Sequence, residues 1–474
     1  MPSSPSHSVS VRSENCCVLN AARHLPSEML SIIFQHACPT HDISVENPIL
    51  MLPFHLVLRL VSTSWYDVIQ STPQLWTSVF FSKLCAENAD IKARYLKLCL
   101  DNSGSLPLTL SFLYDKGMRE VGWFVSPIVD ATLERSVHRI QALRLQRPPR
   151  IWLENLTPKM CQLATMHIDN NCMMDDTNWI PRRDESLFLP KSANIWEIYL
   201  LCPRLLHFRL ESATASLTHV DLFQCPVHFA IEILIKCPNL IDFHCRCPVV
   251  PSEIEIPRSM LMSPITRNHL STFSWSTNRA HYGIAEWDSA LFELIRFPTL
   301  RRFNWWAGSS RLVLDDTILA FLSRFPKSIT VLQLGEVDMV FTEEIRNRFL
   351  PLTGVTQLRL HRCEHFFMEE IFYTLSQGTD RSNILFPALT SLEIDYRMTG
   401  WRSPPWLVLG PESGQNLAQM LRTRIGLIDE FELTVEGAQL IQGWDEESWQ
   451  AVRDVTRDGF DLTIIEDGLP VIII

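Results

Sequence analysis

A proline followed five or six residues later by an apolar–x–apolar pair returns five times along this chain. Pro203 leads to Phe208 and Leu210, Pro238 to Phe243 and Cys245, and Pro298 to Phe303 and Trp305. Pro326 leads to Leu332 and Leu334, and Pro387 to Leu392 and Ile394. Each of these prolines follows Cys or Phe: Cys202, Cys237, Phe297, Phe325 and Phe386. Proline lacks an N–H and pushes its predecessor out of the α region, so it ends a helix. An alternating apolar pair is the minimum pattern of a short strand with one buried face. A recurring unit of helix, stop and short strand predicts a solenoid whose strands share one parallel sheet, the Phe208 strand among them.

Further pairs fit the same pattern: Leu143/Leu145, Met166/Ile168, Val220/Leu222, Phe273/Trp275 and Leu358/Leu360. Helix-length stretches lie between them, including 229–236, 289–296 and 317–324. From Leu222 to Cys245 the step is 23 residues, followed by 30, 30, 29 and 26 to Leu360, then 34 to Ile394 and 39 to Leu433. Such intervals reach the top of the leucine-rich range of about 20–29 and predict roughly nine to twelve units. Ile168 to Leu210 spans 42 residues, read as two units with a loop excursion at 179–194. Arrays of this kind commonly recognise other proteins.

The bulk properties exclude several classes. Hydrophobic content of 46% is too high for a mainly disordered chain. No stretch approaches the roughly 20 uninterrupted apolar residues of a membrane span. The first 24 residues are polar and Ser-rich, without the apolar core of a secretory signal, and read as a tail. The 13 cysteines of a long chain without an export signal read as reduced thiols, and the expected location is cytoplasmic and/or nuclear. Net charge is −11, yet residues 429–467 hold twelve acidic side chains against only Arg453 and Arg457. The rest is nearly neutral, with no basic patch of the size nucleic acid requires.

After the tail, Pro26 suits a first helical position, Glu28 the positive end of its dipole, and Leu30, Ile33 and Phe34 form one apolar face. A long polar loop, His36 to Pro53, precedes 54–70, where Leu58, Val61, Trp65, Val68 and Ile69 share a face. Pro73, Leu75 and Trp76 open a further turn. So small a helical set cannot bury all its apolar surface without a partner.

Leu25-Pro26-x-Glu28-Met29-Leu30-x-x-Ile33-Phe34, then Val61-Ser62-x-x-Trp65, then Pro73-x-Leu75-Trp76, resembles the F-box, and in particular the F-box-like proteins abundant in mushroom-forming fungi. Members commonly join this module to irregular leucine-rich repeats. The chain departs from the compact F-box in its long 36–53 loop. The fold class expected is thus α/β: a helical F-box module at 25–82, a leucine-rich-repeat-like solenoid with a parallel sheet at 83–428, and an acidic terminal repeat or cap at 429–474. The resemblance implies that Leu25, Pro26, Glu28, Leu30, Ile33, Phe34, Leu58, Val61, Trp65, Leu75 and Trp76 bind a Skp-type adaptor and, through it, a cullin ubiquitin ligase. The repeats would then bind a target protein of unknown identity. A repeat scaffold without any ubiquitin role is the alternative.

Catalytic patterns are few. His361-Arg-Cys-Glu364-His365 matches H-x-x-E-H, a zinc-peptidase signature that needs both histidines on one helix face. Here it falls between a strand pair and a helix, so no metal is expected. Cys237, Cys245 and Cys247 with His228 and His244 lack C-x-x-C spacing and read as core thiols. There is no G-x-G-x-x-G, P-loop or G-x-S-x-G, so no enzymatic activity and no cofactor is expected. Fourteen tryptophans, among them Trp275, Trp287, Trp305, Trp306, Trp401 and Trp406, read either as strand core or as exposed recognition aromatics.

Overall fold

The computed structural model describes residues 25–37, 54–84, 89–114, 127–146, 148, 156–169, 186–188, 194–201, 207–209, 215–249, 264–276, 284–306, 316–325, 327–337, 341–378, 383–396, 409–437 and 443–471. The expected tail, most of the 36–53 loop, Trp179, Pro203, Leu210, Trp401 and Trp406 lie outside these residues. The chain divides into two compact units, Met1–Ala164 and Thr165–Ile474.

In the first unit come helices α1 (Ser27–Ala37), α2 (Phe54–Leu58) and α3 (Thr63–Ser71), with a 3-10 turn at Pro73–Trp76. There follow β1 (Ser78–Leu84), α4 (Ala89–Asn102), β2 (Leu108–Tyr114), α5 (Pro127–Ser136) and β3 (Ile140–Gln146), the strands forming a parallel ladder β1-β2-β3. The expected continuous helix from Phe54 breaks in two. Leu60 and Val61 make i→i+3 bonds to Val57 and Leu58, and the Ser62 hydroxyl accepts from the Trp65 N–H at 3.2 Å, starting a new helix. A serine at that position stabilises an N-terminus better than a helix interior.

The second unit contains β4 (Thr165–Asp169), β5 (Ser186–Phe188), β6 (Glu197–Leu201), β7 (His207–Arg209), β8 (His219–Phe223), α6 (Val227–Lys236) and β9 (Asp242–Arg246). Next are β10 (Ile265–Thr266), β11 (Thr272–Ser276), α7 (Ile284–Leu294), β12 (Ile295–Arg296), β13 (Arg302–Trp306), α8 (Asp316–Leu322) and β14 (Val331–Gly335). Last come α9 (Glu343–Phe349), β15 (Gln357–His361), α10 (His365–Ser376), β16 (Ser391–Asp395), α11 (Pro411–Arg424), β17 (Glu430–Glu436), α12 (Glu446–Arg457), β18 (Asp461–Glu466) and β19 (Leu469–Pro470). The large sheet runs β4-β6-β8-β9-β11-β13-β14-β15-β16-β17-β18, parallel throughout, and β19 folds back antiparallel at its end.

Its register stacks equivalent residues. Phe243, Phe273, Phe303, Leu332, Leu358, Leu392 and Leu433 form one inward row. Cys245, Trp275, Trp305, Leu334, Leu360, Ile394 and Val435 form the next. Val435, not Leu433, therefore stands opposite Ile394. From the Val220/Leu222 pair to the Leu392/Ile394 pair, an apolar residue three positions ahead is buried as well: Leu217, Leu240, Leu270, Leu300, Ile329, Val355 and Leu389. The inward aromatics meet the helices, with Phe303 5.4 Å from Phe321 and Phe273 edge-on to Phe292. Such contacts favour tilted rings over face-to-face stacks. Four of the strands then leave the sheet sharply. Gln224, Cys247, Glu336 and Arg362, the residues just after β8, β9, β14 and β15, all have φ between 50° and 56°, a left-handed conformation that turns the chain toward the next helix.

The expectation that the Phe208 strand belongs to this sheet is corrected. β7 pairs only with β5, as a separate two-stranded ladder. The place between β4 and β8 belongs to β6, where Ile198 and Leu200 align with Met166/Ile168 on one side and Val220/Leu222 on the other. Glu-Ile-Tyr-Leu-Leu carries the same alternation without a proline five or six residues ahead of its apolar pair, and the Pro203 phrase is an excursion after it.

Candidate functional site

Helix α1 is apolar on two sides. Leu30 and Phe34 turn inward and are each only 2% exposed. Phe34 meets the Trp65 ring edge-on at 4.9 Å, while the Thr72 hydroxyl joins Ser31 at 3.1 Å and the Val68 carbonyl at 2.7 Å. Trp76 is fully enclosed, its indole N–H donating to the Ile69 carbonyl at 2.8 Å and its ring against His55 at 4.6 Å. These contacts lock α1, α3 and the 3-10 turn into one module.

Among the described residues, none covers the other side of α1. Leu25, Met29, Ile32 and Ile33 are exposed, and so are Val57, Leu60, Val61 and Tyr66 around the α2–α3 turn, Leu60 to 79%. The Arg59 guanidinium lies 4.5 Å over the Tyr66 ring. A monomer rarely shows so many large apolar side chains together without a partner for them.

Of the residues expected to bind an adaptor, Leu25, Pro26, Glu28, Ile33 and Val61 are therefore exposed, and Leu58 and Trp65 half-buried. Leu30, Phe34, Leu75 and Trp76 are enclosed by the module. The expectation that Leu30 and Phe34 lie on an outward contact face is corrected, because α3 and the 3-10 turn already cover them. Ile32, Val57, Leu60 and Tyr66 escaped the sequence reading, and Met29 entered it only within the motif and not as a contact residue. Met29, Ile32 and Ile33 have the same i, i+3, i+4 spacing as Leu30, Ile33 and Phe34, so periodicity alone could not choose between the two faces.

The second unit offers the outward face of its sheet. Successive strands place His167, Tyr199, Asp221, His244, Ser274, Asn304, Gln333, Arg359, Glu393 and Thr434 in one row. Arg246 binds Asp221 at 2.8 Å, His219 faces Asp242 at 3.1 Å, and Arg359 pairs with Glu393 at 3.0 Å. Ser274 links His244 and Asn304, each at 2.7 Å. Burial holds the His244 imidazole below its ordinary pKa, favouring the neutral ring. The tryptophans divide: Trp275, Trp287 and Trp305 are core, Trp196 is exposed, and Trp306 lies on the outward face, 4.5 Å from the His361 ring.

Trp306 spans its neighbour because Gly335 has no side chain, and a Cβ there would collide with the indole. Gly335→Ala is expected to displace the ring and cost about 1–3 kcal/mol. Thermal melts of a double-mutant cycle check this: the cost should vanish in a Trp306→Ala background.

His361 closes β15 and bonds Asp395 at 3.1 Å, Glu364 is the residue before α10, and His365 is its first residue. The two histidines therefore share no helix face. Among the described residues, no three His, Cys, Asp or Glu side chains are grouped to hold a metal ion. The described cysteines are free thiols, and burial pushes Cys99, Cys237 and Cys363 up to about 12. Cys225 and Cys363 stand at equivalent positions after β8 and β15, each aiming its thiol at a carbonyl one strand back, Leu200 and Leu334.

The F-box-like family matches residues 22–82, the span that holds the helical module and the start of β1. No curated protein matches the chain. Among the described residues, no helix is long and apolar enough to cross a membrane.

Proposed function

We propose that this chain is the substrate-recognition subunit of a ubiquitin ligase of the Skp/cullin/F-box type. The observation that carries the reading is the uncovered apolar surface of α1 and the α2–α3 turn, within the segment that matches the F-box-like family. F-box domains generally bind Skp-type adaptors, and the adaptor would link the chain to a cullin. The stacked strands fit a leucine-rich-repeat-like solenoid. Leu217-x-x-Val220-x-Leu222-x-x-Cys225 and Val355-x-x-Leu358-x-Leu360-x-x-Cys363 follow its L-x-x-L-x-L-x-x-N/C pattern. The solenoid would hold a target protein and raise its effective concentration at the ligase. The chain itself would catalyse nothing, would need no cofactor, and would act in the cytoplasm and/or nucleus.

Co-purification of the full chain with a Skp-type adaptor, followed by transfer of ubiquitin to a protein held by the repeats, tests this. An adaptor that never co-purifies would leave a repeat scaffold without a ubiquitin role.

A further inference from the structure

Parallel strands are joined by connections that return the chain to the side on which it started, so the large sheet has one edge where its strands begin. Trp196, Thr218, Ile241, Ser271, Arg301 and Thr330 hold equivalent places along that edge. Each of their carbonyls accepts two N–H groups from the start of the next strand, as Arg301 does from Thr330 and Val331 at 2.8 and 3.0 Å. Neighbouring places are therefore one strand spacing apart, about 4.8 Å.

Two independent features meet on this edge. The first is charge. The stretches 264–272, 293–302, 322–331 and 346–357 lead into β11, β13, β14 and β15, and hold eight Arg or Lys side chains against one carboxylate, Glu293. The chain as a whole carries −11. Arg267, Arg296 and Arg324 donate to backbone carbonyls in the last turns of α6 and α7. Arg301, Arg302 and Lys327 are exposed, and among the described residues none of the three side chains has a hydrogen bond or an ion pair.

The second feature is apolar. Trp196 and Ile241, two ladder steps apart, are 42% and 38% exposed. His219, tied to Asp242 at 3.1 Å, braces the Trp196 ring edge-on at 5.5 Å and holds the indole in place. Tryptophan and arginine are among the side chains that most often dominate contacts between proteins.

We propose that this edge docks an extended segment of the target protein in which apolar residues stand next to acidic ones, a reading that rests on the receptor function above. The apolar side chains cover Trp196 and Ile241, and the carboxylates meet Arg301, Arg302 and Lys327. Asp242, beside Ile241, repels acidic residues from the first half and so fixes the order. Four ladder steps separate Trp196 from Arg301, roughly 19 Å, which about six extended residues span. A nucleic acid fits less well: it carries a phosphate at every step, and β17 and β18 of the acidic 429–467 segment belong to the same sheet.

The test uses the full chain and a fluorescent peptide of about eight residues, leucine and serine in one half and glutamate and serine in the other, made in both orders. Controls replace its leucines by serine or its glutamates by lysine, and a single-stranded oligonucleotide of about eight nucleotides is titrated alongside. Anisotropy compares the wild type with Arg301→Gln/Arg302→Gln/Lys327→Gln and with Trp196→Ala. It also includes Arg94→Gln/Lys97→Gln/Arg457→Gln, which removes the same formal charge from α4 and α12. The edge charge variant is expected to weaken binding of the leucine–glutamate peptide about tenfold and flatten its salt dependence, and the helix variant to stay within about twofold. Trp196→Ala is expected to weaken it about tenfold with the salt dependence unchanged. The leucine-free peptide reads the same apolar loss on the wild-type chain, whatever the variant does to folding. Four results overturn the proposal: no saturable binding to the wild type, equal weakening by both charge variants, no loss with the leucine-free peptide, or tighter binding of the oligonucleotide. Deleting the chain in cells scores the receptor reading separately. A target that accumulates, yet binds the edge charge variant as tightly as the wild type, keeps the receptor function and removes this site. Peptide binding at the edge without any accumulating target keeps the site and removes the receptor function.

Discussion

Arg424→Ala is expected to lower the stability of the second unit by about 3–5 kcal/mol. Arg424 ends α11 and is fully buried, with no carboxylate beside it. Its guanidinium donates to the Leu375 carbonyl at 3.0 Å, to Met420 at 3.1 Å and to Leu385 at 2.7 Å. Leu375 lies in the last turn of α10, whose carbonyls have no partners within their own helix and whose dipole favours a cation. Burial lowers the arginine to about 10, so it remains charged at neutral pH. Alanine would leave Leu375 and Leu385 without their donor and open a cavity the size of the side chain.

The same device recurs. Arg139 donates to Leu100 at the end of α4, Arg267 to Ile235 at the end of α6, and Arg324 to Phe292 at the end of α7. Arginine thus ties a later stretch of chain to the last carbonyls of an earlier helix, with Arg424 the most deeply placed. Urea unfolding checks the expectation: the midpoint should fall sharply for Arg424→Ala, and only slightly for Arg422→Ala, which is exposed on the same helix. Equal midpoints for the two variants would show that the buried guanidinium does not hold the repeats together.

The sheet was legible in the sequence wherever an alternating apolar pair followed a helix stop. Phe243/Cys245, Phe303/Trp305 and Leu392/Ile394 needed nothing more. β6 was missed because Ile198 and Leu200 have no proline at the usual five or six residues ahead, while Pro203 announced β7, which lies outside the large sheet. Arg424 could not be told from Arg422 in the sequence, since both look like cations placed for a helix dipole. Gly335 shows its purpose only once Trp306 is seen lying across it. The module was harder to read than the sheet. A strand offers two faces and burial chooses one, whereas α1 is apolar on both and only the packing of Trp65 and Thr72 decides which is covered.

That decision sets the second large effect. Ile33→Asp is expected to weaken adaptor binding at least a hundredfold while the chain stays folded. Ile33 is 42% exposed, so an aspartate there remains in water in the free chain and alters stability by about 0.5 kcal/mol or less. In a complex it would be desolvated with no counter-charge, costing several kcal/mol, and each 1.4 kcal/mol is about tenfold in affinity. Leu30→Asp is the contrast. It places the charge between α1 and α3, where the free module has no room to hydrate it, and is expected to unfold the module itself. Circular dichroism with an adaptor titration separates the two variants. An Ile33→Asp chain that is folded and binds the adaptor with wild-type affinity would mean that the uncovered face of α1 serves some other partner.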